Sequence, residues 1–180
     1  MRLVAGRGSS DFINRRGMLY LSPMESQDYR DGIRDAYQGE LVGEKLYRDY
    51  ARRVSDLDQR DKLAAIADIE RATHRRLHPI AERLQVRPST TDWHAIVQRR
   101  LGELEKLNWS GFLQKALYEW PPYIDRFEAV HRLAPAADAP CTRLLVEHEW
   151  VLVEFIRLES ADPGGAGSLS ILQRFLANAP

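Results

Sequence analysis

The sequence predicts an all-α protein, a four-helix bundle with an extra helix in the crossover and a short helix at the C-terminus. Three observations carry this. Apolar residues recur at three- and four-residue spacing in every long segment after residue 27. No run alternates with period two over a useful length. The periodic segments come as two long runs with a tight link, a longer connection, then two more runs with a short link, the outline of a bundle with one crossover. At 180 residues the chain suits one domain with a full core. The expected organisation is an N-terminal arm over 1–26, a bundle domain over 27–162, and a linker with a C-terminal helix over 163–180.

The first helix is expected over about 28–54, with Ile33, Tyr37, Glu40, Glu44, Tyr47, Ala51 and Val54 on one face. Gly32, Gly39 and Gly43 each cost it roughly 1 kcal/mol relative to Ala, and also let a neighbouring helix come close. SDLD, from Ser55, supplies turn and N-cap chemistry for a second helix over about 59–85. That helix carries Leu63, Ile66, Ala67, Glu70, His74, Leu77, Ile80 and Leu84 in one stripe, with a kink expected near Arg75 because Pro79 removes a backbone donor. A shorter helix follows over 92–107. Phe112 to Leu133 reads as one helix broken at Pro121-Pro122. The last bundle helix spans 141–160, with Leu145, Glu149, Leu152, Ile156 and Glu159 on one face, and PGGAG links it to SLSILQRFLAN.

Composition narrows the function classes. The chain is 44% hydrophobic and 29% charged with zero net charge, so no global field draws it to nucleic acid or membrane. Its basic residues are mostly Arg, which fits the codon bias of a GC-rich bacterial genome. A single cysteine, Cys141, excludes an intramolecular disulfide and points to a cytoplasmic setting. NRRGMLYL holds a twin arginine, but its apolar run is shorter than the roughly 7–15 residues of a secretory signal. Met24 is an equally sensible start, since the periodic pattern begins just after it.

Polar groups interrupt the core stripes of all four bundle helices: Glu40 and Glu44, Glu70 and His74, Glu128 and His131, then Glu149 and Glu159. An unpaired buried carboxylate costs several kcal/mol or a large pKa shift, and several converging carboxylates repel unless cations or protons neutralise them. Divalent metals do this directly, and oxygen ligands with imidazole suit iron or manganese.

The words GELVGEKLY in the first helix, LAAIADIERATH in the second and VEHEWVLVEFIRLE in the last resemble the ferritin-like superfamily, which includes ferritins and rubrerythrin-like di-iron proteins. That family sets a Glu on each of two helices and a Glu-x-x-His motif on each of the other two. The resemblance implies an intra-bundle iron or manganese site for oxygen or peroxide chemistry. Glu40, Glu70 and Glu149 would be its core ligands, with His74 and Glu128 next. The sequence departs from the pattern. Thr73 stands where the second-helix histidine is expected, and His74 comes one residue late. Leu152 stands at the equivalent fourth-helix position, and His148, beside Glu149, points about 100° away from it. The only Glu-x-x-His spacing is Glu128 to His131.

Plainer readings stand beside these. Glu70 and His74 equally describe a structural hydrogen-bonded pair, and a small helix rotation exposes Glu44 and Glu159. His131 and His148 read as surface or interface histidines, Tyr37, Tyr47 and Tyr50 as core and rim aromatics, and the basic cluster from Arg71 to His78 as a solvated face. The alternative function is a metal-free interaction or scaffold protein, forming a homodimer through the first-helix glycines and a detachable C-terminal helix.

Overall fold

A computed structural model describes residues 23–88 and 93–178, and every regular element among them is an α-helix. The helices are α1 (Pro23–Ala51), α2 (Leu57–Arg83), α3 (Trp93–Leu104), α4 (Trp109–Glu119), α5 (Pro121–Leu133), α6 (Ala139–Ala161) and α7 (Ala166–Asn178). Most of the expected N-terminal arm lies outside the described residues, and 23–26 belong to α1. That helix opens on Pro23, whose missing N–H costs nothing in a first turn. The SDLD cap forms as expected: Asp56 accepts from the Gln59 amide at 3.0 Å. The break at Pro121-Pro122 separates α4 from α5, with the prolines in the first turn of α5. Helix α2 runs on through Pro79, and Cys141 donates its thiol to the Arg76 carbonyl at 3.0 Å, so the cysteine has a structural role there.

Helix α1 packs on α2, α2 on α6, α6 on α5 and α5 on α1. Around this ring, α3 lies on α1, α4 on α6, and α7 on both α2 and α6. The C-terminal helix is therefore part of the packed body, with Leu172 fully buried. Two apolar clusters fill the interior. One holds Tyr29, Ile33, Leu77, Phe127, Val130 and Leu145. The other holds Leu46, Tyr50, Leu63, Ile66, Phe112 and Ile156. In sequence, the gap between them falls after Tyr37 on α1, after Ile69 on α2 and after Val146 on α6. Polar residues occupy that gap on all three helices.

Helix α6 is anchored by buried polar groups at both ends. At its start, Asp138 accepts from Tyr29 Oη at 2.8 Å and pairs with Arg83. Thr142, one turn on, is 2.8 Å from His131 Nδ1. At its end, Glu159 is buried rather than turned to solvent. It receives Lys62 Nζ at 2.7 Å, Ser168 Oγ at 2.6 Å, Trp109 Nε1 at 2.9 Å and the Gly164 amide at 3.2 Å. Burial alone would raise the Glu159 pKa, but these donors hold it below the ordinary carboxylate value.

Close helix approach explains one of the α1 glycines. A Cβ on Gly32 would sit 2.6 Å from Val130 Cγ2 on α5, whereas one on Gly39 would meet nothing. Gly32→Ala should therefore lose stability in urea denaturation, since overpacking costs about 1–3 kcal/mol against a helix-propensity gain of at most about 1. Gly39→Ala should gain about 0.5–1 kcal/mol. A stabilising Gly32→Ala would contradict the α1–α5 contact.

Candidate metal centre

The polar layer gathers Glu40 from α1, Glu70 from α2, and His148 and Glu149 from α6, all buried. Ligand atoms of Glu40, Glu70 and His148 all lie within 4.8 Å of one another. His148 Nε2 is 3.5 Å from an oxygen of Glu40 and 3.5 Å from an oxygen of Glu149. Gly43 makes room for this. A Cβ there would lie 2.6 Å from the Glu70 carboxyl carbon, so that carboxylate occupies space above the α1 backbone that only glycine leaves open.

Burial and crowding set the charge state of the metal-free group. Burial pushes Glu40 well above the ordinary carboxylate value, and the neighbouring Glu70 and Glu149 push it further. Glu70 is raised by burial to about 8, even though a hydrogen bond from Glu40 opposes the shift. Glu149 rises through burial and the field of Glu70. His148 moves the other way, to about 4, because burial disfavours imidazolium. The 3.5 Å approaches to His148 are therefore contacts between neutral groups, beyond hydrogen-bond range and not ion pairs.

The imidazole is held in a ligand-ready form. His148 Nδ1 is 2.6 Å from the Leu145 carbonyl oxygen, which only accepts, so Nδ1 carries the hydrogen. The lone pair then sits on Nε2 and faces the carboxylates, with backbone support of the kind that orients metal-bound histidines. Nε2 of His148 and Oε2 of Glu40 are both buried without a hydrogen-bond partner. Orphaned buried acceptors are costly, and a cation between them would satisfy both. A set of carboxylate oxygens with one imidazole fits iron, manganese or a similar divalent ion.

Three of the residues expected from sequence, Glu40, Glu70 and Glu149, meet here. The other two stand elsewhere. His74 lies one turn beyond Glu70, level with Tyr37, and stacks on that ring at 4.2 Å between centroids. Burial lowers its pKa. Glu128 is half-exposed, 3.8 Å from Arg132. On α5 the inward positions are Ile124, Phe127 and Val130, and Glu128 is turned about 100° from Phe127. Glu44 is also partly exposed, 3.6 Å from Arg48. Thr73, at the expected histidine position, is buried with its hydroxyl unpartnered.

His148 is the member of this group that the motif reading passes over. It lies three residues after Leu145 and four before Leu152, within the same apolar stripe. Helix α6 buries a face wide enough to take in both it and Glu149. Among the described residues, no other group of three His, Cys, Asp or Glu side chains converges in this way.

A cavity of about 560 Å³ reaches this group from the surface, lined in part by Glu40, Glu70 and Glu149. Comparison with known proteins gives no match to a family model, to a curated protein or to a solved structure. Among the described residues, no helix is long and apolar enough to cross a membrane.

Proposed function

We propose that α1, α2, α5 and α6 form a ferritin-like bundle that binds a divalent metal, iron or manganese, through Glu40, Glu70, Glu149 and His148. The observation that carries this reading is the unpartnered Nε2 of His148, its tautomer fixed by Leu145, aimed into carboxylates that cannot all ionise together. Bound iron would supply oxygen or peroxide activation. The chain's own residues would do the rest. Glu40, Glu70 and Glu149 give up their protons on binding, His148 donates a lone pair, and Gly43 holds Glu70 in place. The apolar clusters on either side would leave the cavity as the route of access. The α1 glycines that suggested a dimer face are partly used within the chain, Gly32 against Val130 and Gly43 against Glu70.

Elemental analysis after anaerobic Fe(II) or Mn(II) addition tests the proposal. Wild-type protein should bind metal stoichiometrically. Glu70→Ala and His148→Ala should each weaken uptake by more than about 10–100-fold, the scale on which even supporting residues act. Glu128→Ala should leave it unchanged. Wild-type protein without metal would refute the site, and loss of uptake in Glu128→Ala would refute this ligand assignment.

A further inference from the structure

The cavity above the acidic group has three zones. Its floor is Glu40, Glu70 and Glu149, and its wall includes Leu46, Phe112, Trp120 and Leu152. Charged residues line its mouth. Three carboxylates there already have cations: Asp35 lies 2.5 Å from Arg126, and Lys115 is 2.5 Å from Glu119 and 3.9 Å from Glu103. That leaves Arg99 and Arg100 on α3, both exposed and both lining the cavity, with no carboxylate of the described residues within ion-pair distance. A volume of about 560 Å³ falls in the range of small-molecule sites, about 300–1,000 Å³.

We propose that this cavity binds a small organic anion with an apolar body, its carboxylate or phosphate held by Arg99 and Arg100 and its far end reaching Glu40, Glu70 and Glu149. The apolar wall suits the body of such a molecule, and a guanidinium pair suits planar anion recognition. A far end seated at this group lies within reach of a bound metal, so anion and metal should change each other's affinity by the same factor. The placement of the far end rests on the metal-binding reading; the anion grip at the mouth does not.

Isothermal titration of the full chain with octanoate and with octanamide, before and after Mn(II) addition, tests this. Octanoate should bind saturably and about tenfold or more tighter than the amide, because a charge-assisted contact is lost in the amide. Arg99→Gln/Arg100→Gln should remove the preference while Mn(II) uptake stays at the wild-type level. Gly39→Phe, at a position on the cavity lining with open space around it, should block both ligands in a protein whose circular dichroism is unchanged. No saturable octanoate binding, an equal affinity for the amide, a preference surviving in the double variant, or unchanged binding in Gly39→Phe would each overturn the proposal. Octanoate and Mn(II) binding independently would overturn the placement of the far end. Wild-type protein that takes up no metal but still prefers octanoate removes the metal centre and keeps the grip of the two arginines.

Discussion

Replacing Lys62 by Met should cost about 3 kcal/mol of stability, the lower end of what breaking a buried ion pair takes away. Lys62 is closed to solvent and lies 2.7 Å from Glu159 and 2.5 Å from Asp58. Burial alone would lower its pKa, but the two carboxylates hold it above the ordinary lysine value. Methionine fills much of the same space, so the loss is one of charge rather than volume. Glu159 would keep its bonds from Ser168, Trp109 and Gly164 but no cation. The half-exposed Asp58 marks this as the watered end of the helices, which is why the lower figure applies. Urea denaturation measures the effect, and the double variant Lys62→Met/Glu159→Gln should recover much of it, since no carboxylate is then stranded. A single variant within about 1 kcal/mol of wild type would show that the pair does not hold the helix ends together.

The second large effect is a pH dependence that metal should reverse. Protein stripped by a chelator should lose stability as pH rises from about 6.5 to about 8.5. The sign follows from proton counts. Glu70 has a folded pKa of about 8 against 4.5 for the free group, so between those values the folded state holds a proton that the unfolded state has released. Stability then falls with rising pH, by roughly 2 kcal/mol from Glu70 alone across the tested window. Glu40 and Glu149 are raised too and act in the same direction. His148 acts oppositely, but its stabilising neutrality is lost only as pH falls from 6.5 towards about 4, outside the window. With excess Mn(II) the trend should flatten or invert, because metal displaces those protons and binds better as pH rises. Chelated protein that is equally or more stable at the higher pH would mean that these carboxylates are ionised without metal.

Much of the interior was readable from spacing alone. The stripes on α1, α2 and α6 placed Glu40, Glu70 and Glu149 among apolar neighbours, and the three do converge. What spacing could not supply was rotation. Glu128 lies one residue from Phe127, and whether α5 turns the acid or the ring inward depends on its neighbours, not on its own pattern. His148 shows the opposite case. Treating the stripe of α6 as one residue wide left it outside, although a helix contacting α2, α4, α5 and α7 buries far more than a single line. For Glu159 the spacing left both a core-stripe and an exposed reading open, and the stripe position is the one it takes. A carboxylate near a helix end is usually exposed, and its burial depends on Lys62 arriving from α2 and on α7 folding back, neither of which is local.

The two polar anchors of α6 have a consequence for the centre between them. Asp138 ties the start of the helix to α1 and α2, and Glu159 ties its end to α2, α4 and α7. A rod clamped at both ends cannot spin about its own axis. His148 and Glu149 therefore keep their bearing whether or not anything draws them inward, and the chemistry in the middle of the helix is free to vary without loosening the frame that aims it.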